Sequence, residues 1–131
     1  MSALGAVRER LGLRWSEDNP GARIALDDGF EVLRNERRRR TVRYITEEAG
    51  EEWDLNEVVA YITELEFGPD YSSQERKRVY VSLYQTHFDT LRKAGVIEPV
   101  DSGTHMYRAG PAAAPLYEVL ETAGDVLGGG E

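Results

Sequence analysis

Between Asp54 and Phe67 the apolar residues Leu55, Val58, Val59, Ile62 and Leu65 recur at intervals of three and four. That is the period of a helix with one buried face. Asp54 stands where an N-cap would stand, and Glu57 three residues on completes the signature of a capping box. Gly68 and Pro69 end the pattern, and Ser72 or Ser73 can cap the next helix. That helix is expected from about Gln74 to Ala94, with Val81, Tyr84, Phe88 and Leu91 facing inward and Gly95 closing it. Upstream, Asp27 or Asp28 can cap a helix through Phe30, Val32 and Leu33. Asn35 can cap another from Glu36 to about Glu48 that carries Val42, Tyr44 and Ile45 and stops at Gly50.

The period changes after Gly95. Residues 96–100 read as a short strand, 101–104 as a turn, and 105–108 as the returning strand, with Pro99 restricting the first strand to a sheet edge. Pro111 then opens a last helix to about Leu127, with Leu116, Leu120, Ala123 and Leu127 on one stripe. Residues 1–25 read as a flexible N-terminal arm. A short amphipathic helix from Ala3 to Leu11 and the indole of Trp15 give it a surface for the domain or for a protein partner. Residues 128–131 read as a disordered tail. The expected architecture is mainly α with a small β-hairpin: a winged helix-turn-helix over residues 26–110 and an extra C-terminal dimerisation helix over 111–127.

Composition narrows the function. The 131 residues include 40% hydrophobic and 31% charged positions, as in a soluble globular domain. No run approaches the roughly 20 apolar residues that span a bilayer, and Arg8, Glu9 and Arg10 interrupt any apolar leader, so a cytoplasmic location with no membrane contact is expected. Cysteine is absent, which excludes disulfides, thiol nucleophiles and thiolate metal sites. The formal net charge is −8, with two lysines, Lys77 and Lys93, against fourteen arginines. Acid excess with arginine far above lysine suits a salt-adapted cytoplasm. No nucleophile elbow, phosphate-binding loop or paired-carboxylate motif occurs, so neither an enzyme nor a cofactor is expected. His87 and His105 lie on different elements without spaced partners, so no metal site is expected, and His87 reads as a packing residue.

The run Leu91-Arg-Lys-Ala-Gly-Val-Ile97 resembles the end of the recognition helix in winged-helix transcriptional regulators of the ArsR and MarR type. The pieces Phe30-Glu-Val-Leu-Arg-Asn-Glu-Arg-Arg-Arg39 and Glu75-Arg-Lys-Arg-Val-Tyr-Val-Ser-Leu-Tyr-Gln-Thr-His87 look like a haloarchaeal family of small winged helix-turn-helix proteins. The resemblance spans about residues 28–108. It implies a homodimer and double-stranded DNA as partner. The cysteine motif of ArsR metal sensing is missing, so that activity does not carry over.

On this reading helix 74–94 enters the major groove, with Arg78, Ser82, Gln85 and Thr86 nearest the bases. Arg43, Lys77 and Arg108 favour phosphates, and Thr104 at the hairpin tip touches the backbone or minor groove. Leu116, Tyr117, Leu120, Ala123 and Val126 form the dimer surface. Each assignment has a plainer rival. The helix face can be merely solvated, and Arg37 to Arg40 can pair with Glu31, Glu36, Glu47 and Glu48. The terminal stripe can close the chain's own core. The rival function is a winged-helix scaffold that binds another protein and shows no DNA preference. Net charge does not decide between them. Acidic repulsion is screened within about 3 Å at 1 M salt, where counterion release also adds little to binding.

Overall fold

The computed structural model describes residues 24–101 and 103–128. The expected arm helix, Trp15, Ser102 and the last three residues of the tail lie outside them. The element order is α1 (Leu26–Leu33), α2 (Glu36–Glu47), β1 (Glu52–Asp54), α3 (Leu55–Phe67) and α4 (Ser73–Ser82). A π-helical segment (Leu83–His87) leads directly into α5 (Phe88–Lys93), followed by β2 (Ile97–Pro99), β3 (Met106–Ala109) and α6 (Ala113–Leu127). The fold is mainly helical with a small three-stranded antiparallel sheet.

Local chemistry explains the boundaries. The Asn35 side chain accepts from the Arg38 amide and starts α2. Asp54 and Glu57 form the expected capping box on α3, and Ser72 and Glu75 form a second on α4. Gly68 ends α3 at φ 87°. Helix α1 differs from expectation. Its N-cap is Ala25, no side chain caps it, and Asp27 and Asp28 lie in its first turn, where carboxylates complement the positive end of the helix.

Strand β1 was not expected. Three residues are too few to display an alternating pattern, yet they pair with β3 and set Trp53 opposite Tyr107. The strand order is therefore β1-β3-β2. Trp53 is fully buried, stacked on Tyr107 at 5.5 Å and edge-on to Phe88 at 6.1 Å. Its indole joins the sheet to α5 as well as filling core volume. At the other end of the hairpin the chain crosses itself closely. Gly110 donates to the Val96 carbonyl, Ala112 donates to that of Gly95, and a Cβ on Gly110 would run into the Gly95 carbonyl. Gly95 itself, at φ +79°, makes the turn out of α5.

The long helix departs from the expected register. Val79 and Leu83 are fully buried, whereas Val81 and Tyr84 are 37% and 50% exposed. The physical reason is the π segment, where the Phe88 amide bonds the Leu83 carbonyl five residues back. One extra residue in a turn shifts the face. Phe88 and Leu91 are buried as expected, but they continue from Val79 and Leu83. In α6, Leu116 and Leu120 are buried within the chain's own core, Ala123 is half-buried, and the stripe ends before Leu127, which is 81% exposed.

Candidate nucleic-acid interface

The loop from Gly68 to Ser72 joins α3 to α4, and the two capping boxes hold both helix starts. Arg76 donates to the Asn56 side chain across the pair at 2.9 Å. On the outer face of α4, Lys77, Arg78 and Val81 are exposed, and Ser82 beside them is half-buried. Gln74, Lys77, Arg78, Val81 and Ser82 border one shallow open depression. Gln85 and Thr86, carried by the π segment, are exposed too.

Sequence reasoning missed an aromatic stack. Tyr80 and Tyr84 lie nearly parallel, 5.8 Å apart, and His105 at the end of the hairpin turn tilts against both at 6.2 and 5.4 Å. Uniform helical spacing assigns Tyr84 to the core, whereas the π segment leaves it 50% exposed. The stack ties the hairpin to the long helix. Thr104 is exposed in the hairpin turn, its hydroxyl donating to the Asp101 carbonyl at 3.4 Å.

Two expected phosphate ligands have acidic neighbours of their own. Arg43 bonds Glu121 of α6, lies 3.6 Å from Glu47, and has only 15% of its side chain exposed. It joins α2 to α6 and is not presented on the α4 face. Arg108 is exposed, but the register puts it between Glu52 on one neighbouring strand and Glu98 on the other. Opposite-sign cross-strand neighbours offset its charge. Asp89 follows the exposed face and is bonded by Arg92 at 2.8 Å and Lys93 at 2.9 Å. The Lys93 and Arg92 hydrogen bonds hold its carboxyl below the usual range.

The arginine run opening α2 is paired within the chain, and of its four side chains only that of Arg38 is buried. Arg37 donates twice to Glu66 at 2.7 Å, and Arg40 pairs with Glu36 at 2.5 Å. Arg38 is 5% exposed. It donates to the Val32 carbonyl at 3.1 Å, the Glu31 carbonyl at 2.6 Å and His87 Nδ1 at 3.0 Å. His87 is buried against it, and burial followed by the Arg38 charge pulls the imidazole pKa down to about 4. Of the proposed dimer residues, Tyr117 is half-buried and its hydroxyl donates to Glu47, which pushes its pKa up to about 12. Val126 is 73% exposed. Among the described residues no cluster of three or more His, Asp or Glu side chains could hold a metal ion, and no helix is long and apolar enough to cross a membrane.

Residues 30–105 match the model of a domain of unknown function, DUF7344. The chain belongs to the DUF7344 family. The match runs from Phe30 to His105, so the aromatic stack and the Arg38–His87 pair both lie inside the DUF7344 region, whereas α6 lies outside it. No curated protein and no solved structure matches the chain.

Proposed function

We propose that the chain is a winged helix-turn-helix protein that binds double-stranded DNA and regulates transcription in a salt-rich cytoplasm. On this reading α3 and α4 are the helix-turn-helix pair, residues 73–93 are the recognition helix, and the β2–β3 hairpin is the wing. The observation that carries it is the uncommitted polar strip Lys77, Arg78, Gln85 and Thr86 beside a hairpin fixed by the Tyr80–Tyr84–His105 stack. A helix and a hairpin held in one rigid relation can address a groove and its flanking backbone together. Lys77 serves phosphates, Arg78, Gln85 and Thr86 serve base edges with Ser82 behind them, and Thr104 serves the wing contact. Of the residues expected to form the homodimer surface, Leu116, Tyr117, Leu120, Ala123 and Val126, Val126 alone is exposed, and Leu127 of α6 with Leu26 and Phe30 of α1 are further exposed apolar positions for a second copy to cover.

Few phosphate contacts on an acidic body suit binding that leans on base contacts and shape at high salt. The test is fluorescence anisotropy against sheared genomic DNA, from low to molar potassium chloride, with the parent and a Gln85→Ala, Thr86→Ala variant. Sequence-selective binding that survives molar salt and drops about tenfold or more in the variant supports the reading. Equal binding by parent and variant at matched salt sinks it. A second reading, a protein-interaction module, is favoured by one observation: Val81 and Tyr84 lend the same strip apolar surface. It predicts no DNA preference at any salt and retention of a protein partner.

A further inference from the structure

The strip that α4 and the π segment turn outward is not wholly polar. Val81 is 37% exposed and Tyr84 50%, among the exposed Arg78, Gln85 and Thr86. Val81 follows Arg78 by three residues and borders the same shallow depression as Lys77, Arg78 and Ser82. The Tyr84 ring is held by Tyr80, nearly parallel at 5.8 Å, and by His105, tilted at 5.4 Å. It therefore has little side-chain freedom left to lose on binding.

The local charge suits a polyanion. Lys77 and Arg78 are exposed, Glu75 is spent on the capping box with Ser72, and Asp89 is bonded by Arg92 and Lys93. With DNA as the partner, the strip faces the floor of the major groove. That floor offers one apolar group, the C5 methyl of thymine. The adenine paired with it offers N7 and N6, an acceptor and a donor that a glutamine amide matches together. Val81 and Gln85 thus suit the two halves of one kind of base pair, and Arg78 suits a guanine beside it. Neither the methyl contact nor the amide pair depends on counterion release, so both keep their value in molar salt.

We propose that the strip selects A·T base pairs in duplex DNA, with Val81 and the edge of Tyr84 packed on thymine methyl groups and Gln85 paired with adenine. The base-pair assignment rests on the DNA-binding reading and adds what that reading selects. It makes the two apolar side chains specificity determinants of the DNA contact.

The experiment separates the methyl group from the rest of the base pair. A random duplex pool is selected with full-length protein in molar potassium chloride. The enriched sequence is then made twice, once with thymine and once with uracil, which lacks only the C5 methyl, and fluorescence anisotropy compares the two duplexes. The parent should bind the thymine duplex about fourfold tighter for each methyl it covers. Val81→Ala, at an exposed position where folding is not at stake, should lose about fourfold of that preference, and Val81→Ile should keep it. Gln85→Ala should weaken both duplexes alike and leave their ratio intact. Equal binding of the two duplexes by the parent, an enriched sequence without A·T pairs, or a preference undiminished in Val81→Ala would each overturn the base-pair assignment and leave DNA binding standing. A pool from which nothing is enriched would overturn DNA binding itself, and the assignment with it.

Discussion

The chain carries two arginine-rich clusters, and they are put to opposite uses. Arg37, Arg38, Arg40 and Arg43 bind groups of their own chain: Glu66, the carbonyls of α1, His87, Glu36, Glu47 and Glu121. Arg39 joins them by donating to the Leu33 carbonyl. In the second cluster Arg76 touches Asn56, while Lys77 and Arg78 stand exposed on the outer face of α4. Composition treats the two as equivalent. What separates them is the supply of acceptors nearby, since α1, α3 and α6 surround the first cluster and solvent surrounds the second. A cationic run is therefore evidence of a polyanion partner only after its internal acceptors have been counted.

The contrast can be broken at three depths. Arg38→Ala should have the largest effect, about 3 kcal/mol of lost stability by urea denaturation, because two α1 carbonyls and His87 lose their donor in a buried site. A loss under about 1 kcal/mol would mean that the internally paired cluster is decorative. Acid comes next. His87 is held neutral with its pKa depressed from 6.5 to about 4, so between those values the unfolded chain binds more protons than the folded one. Stability should then fall as pH drops from about 6.5 to about 4 and change no further from this group below that window. The expected loss is of order 2 kcal/mol after allowance for partial solvation. A denaturation midpoint flat across the window, once compared with His87→Gln, would contradict the buried neutral imidazole. The smallest effect on folding belongs to Lys77→Ala with Arg78→Ala, within about 0.5 kcal/mol of the parent. The same pair should lower the salt slope of DNA binding by about one, because the Lys77 phosphate contact is gone, and relax selectivity where Arg78 reads a base. Destabilisation above 1 kcal/mol there would make the outer cluster structural after all.

Elements with strong local punctuation were legible from sequence. Asn35, Asp54 and Ser72 cap helices as their side-chain chemistry requires, and Gly68 and Gly95 end them. Long-range partners were not legible. Arg37 meets Glu66 across 29 residues and Arg43 meets Glu121 across 78, and no periodicity encodes such separations. Strand β1 was hidden because three residues cannot show alternation, although an isolated Trp53 between two acids was a hint of a one-sided strand. The aromatic stack was hidden by a single wrong assumption, that residues 74–94 wind uniformly. Under that assumption Tyr84 belongs in the core, and Leu83 belongs outside it.

The π segment can also be read as a phase adjustment. Residues 73–93 carry one residue more than a uniform helix needs, which turns everything after it back by about 100° relative to everything before it. Deleting one residue between Leu83 and His87 would restore an ordinary helix and keep most of its hydrogen bonds. It would also swing Val79 and Leu83 away from the core if Phe88 and Leu91 kept their seats, or the reverse. The chain therefore cannot shorten here by one without a compensating insertion nearby. Substitutions along this helix can be absorbed singly, but its length is locked to the angular offset between two faces that must both point inward.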